Sequence, residues 1–337
     1  MSSFSNLLVP AVLFFALGAI ARIIKSDLRF PPDLAKVLSI YLLMSIGLHG
    51  GYELAKADLG VAINSIFWAL VLGFGLPILG YLSLIITRKV NPLDAAAISA
   101  HYGSVSAGTF LTAIAFLDSS GIQYESYPLI MLAVMESPAI IVGLILAAMA
   151  RKQLAASGGL NSNSYVENEA RSSNFTLLLR EALTNGSVVV LIGSMVIGAI
   201  SQPSGIEKLK PFIDEIFMGV LCLFLFEMGM EAARRIKEFK KVGLVLLVYG
   251  MLMPLFGGAI GALIGFYVLE FSIGGATLVA VLGASASYIA VPPAMRLAIP
   301  EANPSFYLTL SLGITFPFNV LLGIPLYYWF VQKLSGS

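Results

Sequence analysis

Ten long apolar runs, most of them nearly free of charge, constrain this chain more than any short motif. They are Leu7–Ile24, Leu34–Gly51, Val61–Thr87, Leu93–Leu117, Tyr124–Ala150, Leu178–Ser201, Pro211–Glu231, Val242–Leu269, Ile273–Ala298 and Pro304–Val331. A helix that crosses a bilayer needs about 20 mostly apolar residues, and each run meets or approaches that length. The runs are continuous rather than alternating, so a transmembrane β-barrel is excluded. Charged residues make up 12% of the chain and hydrophobic ones 58%, against about 25% charged in a soluble domain. The expected fold is an all-α polytopic membrane protein with lipid as its solvent. The first run has no basic stretch before it and reads as a span, not as a cleaved signal.

The small charge inventory narrows the function. Lys and Arg (20) nearly cancel Asp and Glu (19), which argues against a nucleic-acid surface. A single cysteine, Cys222, excludes a disulfide framework and a thiolate metal site, and two histidines leave little for zinc or haem.

Ten spans place the loops alternately on two sides. One side collects Arg22, Lys25, Arg29, Arg88, Lys89, Arg151, Lys152, Arg171, Arg180, Arg234, Arg235, Lys237, Lys240 and Lys241. The other collects Lys56, Lys208, Lys210 and Lys333. This imbalance, 14 cations against 4, makes the first side cytoplasmic by the positive-inside rule and puts both termini outside. The longest loop, residues 151–177, is then cytoplasmic. It is too polar to bury a core and reads either as a tether or as a docking segment.

The chain repeats itself. Gly47 matches Gly229 at an offset of 182, while Gly103 matches Gly283 and Tyr127 matches Tyr307 at 180. Residues 1–150 and 178–337 each hold five spans. Because five is odd, the second unit enters the membrane upside down relative to the first. This 5+5 inverted repeat is the architecture of many secondary transporters.

Spans four and nine look broken. Span four contains Gly103, Ser104, Ser106, Gly108 and Thr109; span nine contains Ser285, Ser287 and Tyr288 ahead of Pro292 and Pro293. Glycine and proline weaken helix interiors, while serine and threonine cap new helix starts. Unwound backbone inside a membrane persists only where it lines a cavity or is buried in protein. Two opposed half-helix N-termini at matching places would favour an anion, and the carbonyls and hydroxyls beside them suit a hard cation such as sodium. The competing reading is close packing through small residues.

Ionisable groups inside spans are costly and usually functional. Glu136, beside Ser137 and Pro138, is the first candidate for a cation ligand or proton carrier, with Ser106 and Ser287 as further cation ligands; a paired structural carboxylate is the alternative. Glu227 and Glu231 lie one turn apart, and Glu231 suits a boundary ion pair with the basic run after it. Arg296 either draws anions inward or pairs with a carboxylate. His49 and His101 read as packing residues, and Tyr288 either caps the site or packs. An intramembrane hydrolase would need a Ser–His or Ser–Lys pair, and no metalloprotease HExxH exists, so an enzyme is not expected.

Several stretches resemble the sodium-dependent bicarbonate transporter family first known from cyanobacteria, often called SbtA. They are GLHGG (47–51), GSVSAGT (103–109), QYE (123–125), MGMEAARRI (228–236) and the run from Ser285 to Pro304 containing PPAMRLAIPEANP. The resemblance covers nearly the whole chain apart from the central loop. It implies ten spans, a homotrimer, sodium-coupled bicarbonate uptake across a bacterial inner membrane, and a PII-like cytoplasmic regulator. It also implies a gate domain of spans one, two, six and seven around a core of the remaining spans. There are departures: Tyr288 stands where the family carries an acid, Glu136 where it carries Asp, and Glu227 where it carries an apolar residue, and the central loop is shorter. With one acid missing, a proton-coupled carrier of another small carboxylate is the alternative; a receptor or channel on the same scaffold is a third reading.

Overall fold

The protein is described by a computed structural model covering residues 9–28, 30–31, 33–156, 186–235 and 239–336. Among the described residues every regular element is a helix. They are α1 (Pro10–Ile23), α2 (Leu34–Leu54), α3 (Leu59–Ile86), α4 (Pro92–Gly103), α5 (Ala107–Ser119), α6 (Tyr127–Met135), α7 (Pro138–Ala156), α8 (Gly186–Ile200), α9 (Pro203–Lys210), α10 (Phe217–Arg235), α11 (Phe239–Leu263), α12 (Ile273–Ala284), α13 (Val291–Ala298), α14 (Pro304–Leu308), α15 (Phe316–Phe318) and α16 (Ile324–Leu334). Wider π-type turns at Pro211–Glu215, Ile264–Val268, Thr309–Thr315 and Asn319–Gly323 join or extend them.

Among the described residues, six helical stretches are long and apolar enough to cross a membrane: Leu34–Leu54, Leu59–Ile86, Tyr127–Leu154, Pro203–Arg235, Val242–Val268 and Pro304–Leu334. Pro10–Ile23, Val188–Ile200 and Ile273–Ala284 are shorter apolar helices. The start of the first expected span (Leu7 and Leu8), residues 178–185 of the sixth, most of the central loop and the cations Arg29, Arg171, Arg180 and Lys237 lie outside the described residues. The loop expected from residue 151 starts later, because α7 continues to Ala156.

Local chemistry explains where the helices start. Asp58 accepts from Gly60 N (2.6 Å) and Val61 N (3.2 Å) ahead of α3. Asn91 accepts from Leu93 N (2.9 Å) ahead of α4, Ser272 from Gly275 N (3.2 Å) ahead of α12, and Asn303 from Ser305 N (3.0 Å) ahead of α14. Such caps satisfy N–H groups that have no partner within their own helix. Pro10, Pro92 and Pro304 occupy first-turn positions, where a missing N–H does no harm.

Small residues set the helix contacts. The backbones of α1 and α10 touch where Gly18 lies against Phe226 and Gly229 against Phe15. Those of α2 and α8 touch where Gly51 lies against Met195 and Gly198 against Leu48. Where apolar burial provides little drive between helices, such close backbone approach is what holds a helix pair together. A large apolar cluster runs through α3, α4, α6, α7, α11 and α12, and a second joins α1, α2 and α10 to Leu111, Tyr288 and Phe316.

One ion pair locks a helix end. Arg151, 7% exposed, donates from Nε to Glu301 Oε1 (3.0 Å) and from Nη2 to Glu301 Oε2 (2.8 Å) and Ala298 O (2.7 Å). Burial raises the Glu301 carboxyl's pKa, but the bonds and charge of Arg151 outweigh it and hold the group below the usual carboxylate range. Removing one partner of a buried pair costs about 3–5 kcal/mol, and the partly exposed Glu301 places this pair at the lower end. Glu301→Gln should therefore lower the melting temperature in detergent at neutral pH. A carboxyl with a depressed folded pKa stabilises above its unfolded value of about 4.3 and loses that contribution as pH falls through the folded value. The gap between variant and wild type should thus close in acid; a pH-independent gap would rule out this origin.

Candidate functional site

The α4–α5 and α12–α13 junctions meet in the middle of the molecule. α4 ends at Gly103, and Ser104 leaves it in extended conformation (φ −93°, ψ 174°). α12 ends at Ala284, and Ser285 leaves it in nearly the same conformation (φ −85°, ψ 164°). Helix α5 restarts on Ser106, whose Oγ accepts from Thr109 N (3.1 Å) and from the Thr109 hydroxyl (2.9 Å). Ser106 N donates to Ser285 Oγ (3.2 Å), and Ser287 N donates to His101 O (2.8 Å). Each non-helical stretch is thus stitched to the other half of the chain, which satisfies backbone groups that lipid could not.

Glu136 joins them from a third direction. It occupies the kink between α6 and α7 ahead of Pro138, is 7% exposed and receives the Ser104 hydroxyl at 3.3 Å on Oε2. A cavity of about 10 Å³ is bounded by Ser106, Glu136, Ser287, Tyr288 and Ser39, among others. That volume is at the lower limit for one water molecule. Tyr288, 9% exposed, packs edge-on to Phe316 at 5.1 Å and sets its hydroxyl against Gly108, where a Cβ would clash. Gly103 lies equally close to Pro77 of α3, and Gly283 to Gly257 of α11.

Not every candidate faces the cavity. Ser106, Ser287, Tyr288 and Glu136 line it; Gly103, Ser104, Gly108, Thr109 and Ser285 stand behind as backbone hinges and hydrogen-bond supports. The expectation of two equivalent helix starts needs correction. Pro292 and Pro293 open α13 and lack N–H groups, and Val291 N is already bonded to Ser287 Oγ (3.4 Å). The α13 start therefore has fewer N–H groups to offer than the α5 start, whose first turn holds no proline.

The donor set can hold a hard monovalent cation. Glu136 supplies a carboxylate, and Ser104, Ser106 and Ser287 supply hydroxyl oxygens. Ser287 Oγ accepts one hydrogen bond, from Val291 N, and keeps a second lone pair for a cation, whereas Ser106 Oγ accepts two from Thr109 and must release one of them to bind an ion. Among the described residues no cluster of three His, Cys, Asp or Glu side chains is placed for a transition metal.

Two larger pockets carry most of the other candidate residues. One, of about 680 Å³, is lined by Arg22, Lys36, Arg234 and Arg296 as well as Glu227 and Glu231, and it reaches Tyr288 and Ile289, which also bound the cavity. The other, of about 310 Å³, carries His49, Asp118, Glu125 and Asp214 and ends on Phe110, Ile114 and Leu278. Glu231 pairs with Arg234 and Arg235, both at 3.3 Å, while His49 faces Asp214 at 3.8 Å. His101 stacks on Tyr307 with ring centroids 4.4 Å apart, and Arg296 interacts with the same tyrosine.

Sequence reasoning missed two residues. Ser39 borders the cavity from α2, and a lone serine in an apolar helix gives no warning of that. Asn319 is fully buried, donates to Ala284 O (2.8 Å) at the end of α12 and accepts from Tyr327 (2.8 Å). An amide inside a span is itself a signal, and Asn319 follows Glu136 at an offset of 183.

Apolar helices of membrane length packed around a buried polar cavity are features of an integral membrane protein. The chain belongs to the Na+-dependent bicarbonate transporter superfamily, whose family model matches residues 10–332. A search of curated proteins finds no match.

Proposed function

We propose that the protein is a secondary active transporter that imports bicarbonate, or a small anion of similar size, together with sodium. The observation that carries this reading is the stitched meeting of the two non-helical stretches, Ser106 N to Ser285 Oγ and Ser287 N to His101 O, beside buried Glu136. The anion would sit at the start of α5 and the cation between Glu136 and the serine oxygens.

An inverted repeat of ten spans, with spans four and nine broken, is supported by matched geometry. The 12-residue helices α4 and α12 stand 181 positions apart and leave through matching extended serines. The Gly103–Pro77 and Gly283–Gly257 approaches are related at an offset of 180. Gly18 on α1 meets α10 as Gly198 on α8 meets α2, and these glycines are also 180 apart. In this reading α1, α2, α8 and α10 form the gate domain, and the other long helices form a core that moves against it. The cavity is too small for bicarbonate, so binding needs that movement. The large basic pocket shares Tyr288 and Ile289 with the cavity, which supports a conformation facing the cytoplasm. A homotrimer, a bacterial inner-membrane location and a PII-like partner belong to the same reading through the family resemblance.

Labelled bicarbonate uptake into proteoliposomes tests the function: an inward sodium gradient should drive accumulation above equilibrium. With Tyr288 in place of an acid, Glu136 is the only carboxylate among the described residues that bound the cavity, and this favours proton coupling as the second reading. Accumulation that follows a proton gradient and ignores sodium would select it. Orientation is tested separately. A reporter at the C-terminus should be active outside, and one inserted after Arg171 should be active in the cytoplasm. The reverse pattern would overturn the sidedness, and two signals on one side would overturn the inverted repeat.

A further inference from the structure

Two shielded oxygens belong to residues that line the large basic pocket, and one of these residues, Tyr288, also borders the Glu136 cavity. Glu227 Oε2 on α10 and the Tyr288 hydroxyl are both shielded from solvent; Glu227 Oε2 has no hydrogen-bond partner among the described residues, and the Tyr288 hydroxyl has only Ser106 beside it. Both residues line the large basic pocket. The orientation of α10 explains the meeting. Phe224, one turn before Glu227, presses on Gly108 beside the Tyr288 hydroxyl, so this face of α10 looks at the restart of α5.

A shielded carboxylate oxygen without a donor is costly unless a cation or proton neutralises it. The nearby cations do not supply one. Arg234 and Arg235 reach Glu231, Arg296 interacts with Tyr307, and neither Arg22 nor Lys36 hydrogen-bonds Glu227 Oε2 although both line the pocket. A carboxylate, a neutral phenol oxygen and non-helical backbone at residues 285–290 make a hard, all-oxygen donor set with one formal charge. That chemistry suits a monovalent cation of the sodium class better than a divalent ion, which collects more carboxylates.

We propose that Glu227 and Tyr288 form a second cation site, for sodium, at the inner mouth of the central cavity. The proposal rests on the sodium-coupled reading above and adds a second ion to it. Its two halves come from different bodies: Glu227 sits on α10, which packs on α1, while Tyr288 follows α12. The site therefore exists only while these bodies hold the described relation, and an ion bound there fastens the inward-facing arrangement until it leaves to the cytoplasm.

Binding of ²²Na⁺ to the purified full-length protein in lipid nanodiscs tests this, with Glu227→Gln, Tyr288→Phe and Glu136→Gln alongside the wild type. The wild type should bind two ions per chain. Glu227→Gln should bind one with the remaining affinity unchanged, and Tyr288→Phe should weaken one of the two sites about tenfold, the loss of one ligand worth about 1.4 kcal/mol. Both substitutions preserve shape, and a monodisperse elution profile confirms that each variant is folded. Two ions bound by Glu227→Gln with wild-type affinities would overturn the second site. So would one ion in the wild type that Glu136→Gln abolishes, and that outcome leaves the Glu136 reading intact. A proton release that depends on Glu227 without any loss of sodium would overturn it in favour of protonation. No sodium binding by the wild type would remove the underlying sodium-coupled reading as well.

Discussion

Glu136→Gln is expected to abolish sodium-driven accumulation, bringing the internal-to-external bicarbonate ratio to about one whatever the sodium gradient. The carboxylate is 7% exposed and receives only the Ser104 hydroxyl among the described side chains. Glutamine keeps its shape but offers a neutral carbonyl oxygen in place of a charge. In a site shielded from water, that charge is the main compensation for stripping sodium of its hydration shell. Exchange of labelled for unlabelled bicarbonate should survive better than net accumulation, because the α5 start is untouched. Normal accumulation by Glu136→Gln would place the coupling charge elsewhere. Tyr288→Asp, which adds a charged oxygen beside Ser287, should lower the sodium concentration for half-maximal uptake. It also removes the ring packed on Phe316, so stability should fall by about 3 kcal/mol or more.

Filling the central cavity should be equally severe. Ser106→Leu and Ser287→Leu each place a branched apolar side chain in a space of about 10 Å³, and uptake should drop at least about a hundredfold, equivalent to about 2.7 kcal/mol. Ser106→Ala separates blocking from capping. It leaves the space open and removes the oxygen that caps Thr109 N, accepts from the Thr109 hydroxyl and serves as one neutral ligand in the proposed cation site, the lost cap amounting to about 1 kcal/mol of local stability. Its uptake should stay measurable. Wild-type rates in both leucine variants would assign these serines to packing away from the transport route.

Much of this organisation is legible in the residues, for identifiable physical reasons. Membrane-length apolar runs announce themselves because lipid tolerates few charges. The clusters at 103–109 and 285–288 stand out because glycine and serine are poor interior helix formers yet good caps. Glu136 stands out because an acid inside a span needs a reason. Other features are hidden because tertiary contacts create them. Ser39 looks like any small helix residue until α2 is laid against Ser287 and Tyr288. The stitch from Ser106 to Ser285 joins residues 179 positions apart, which no local pattern encodes. The loss of donors at α13 is readable in the Pro292–Pro293 pair, but it matters only once that helix start is seen to be the one beside the cavity.

The cavity's small size has a further consequence for the membrane that holds the protein. Proton conduction along water needs an unbroken file of molecules, and a space of about 10 Å³ accommodates one at most. The pocket carrying His49 and Asp214 ends on Phe110, Ile114 and Leu278 and shares no lining residue with that space. Among the described residues, this conformation therefore holds no continuous file of water sites between that pocket and the cavity. A cell could keep many copies in its membrane without short-circuiting the ion gradients on which import depends.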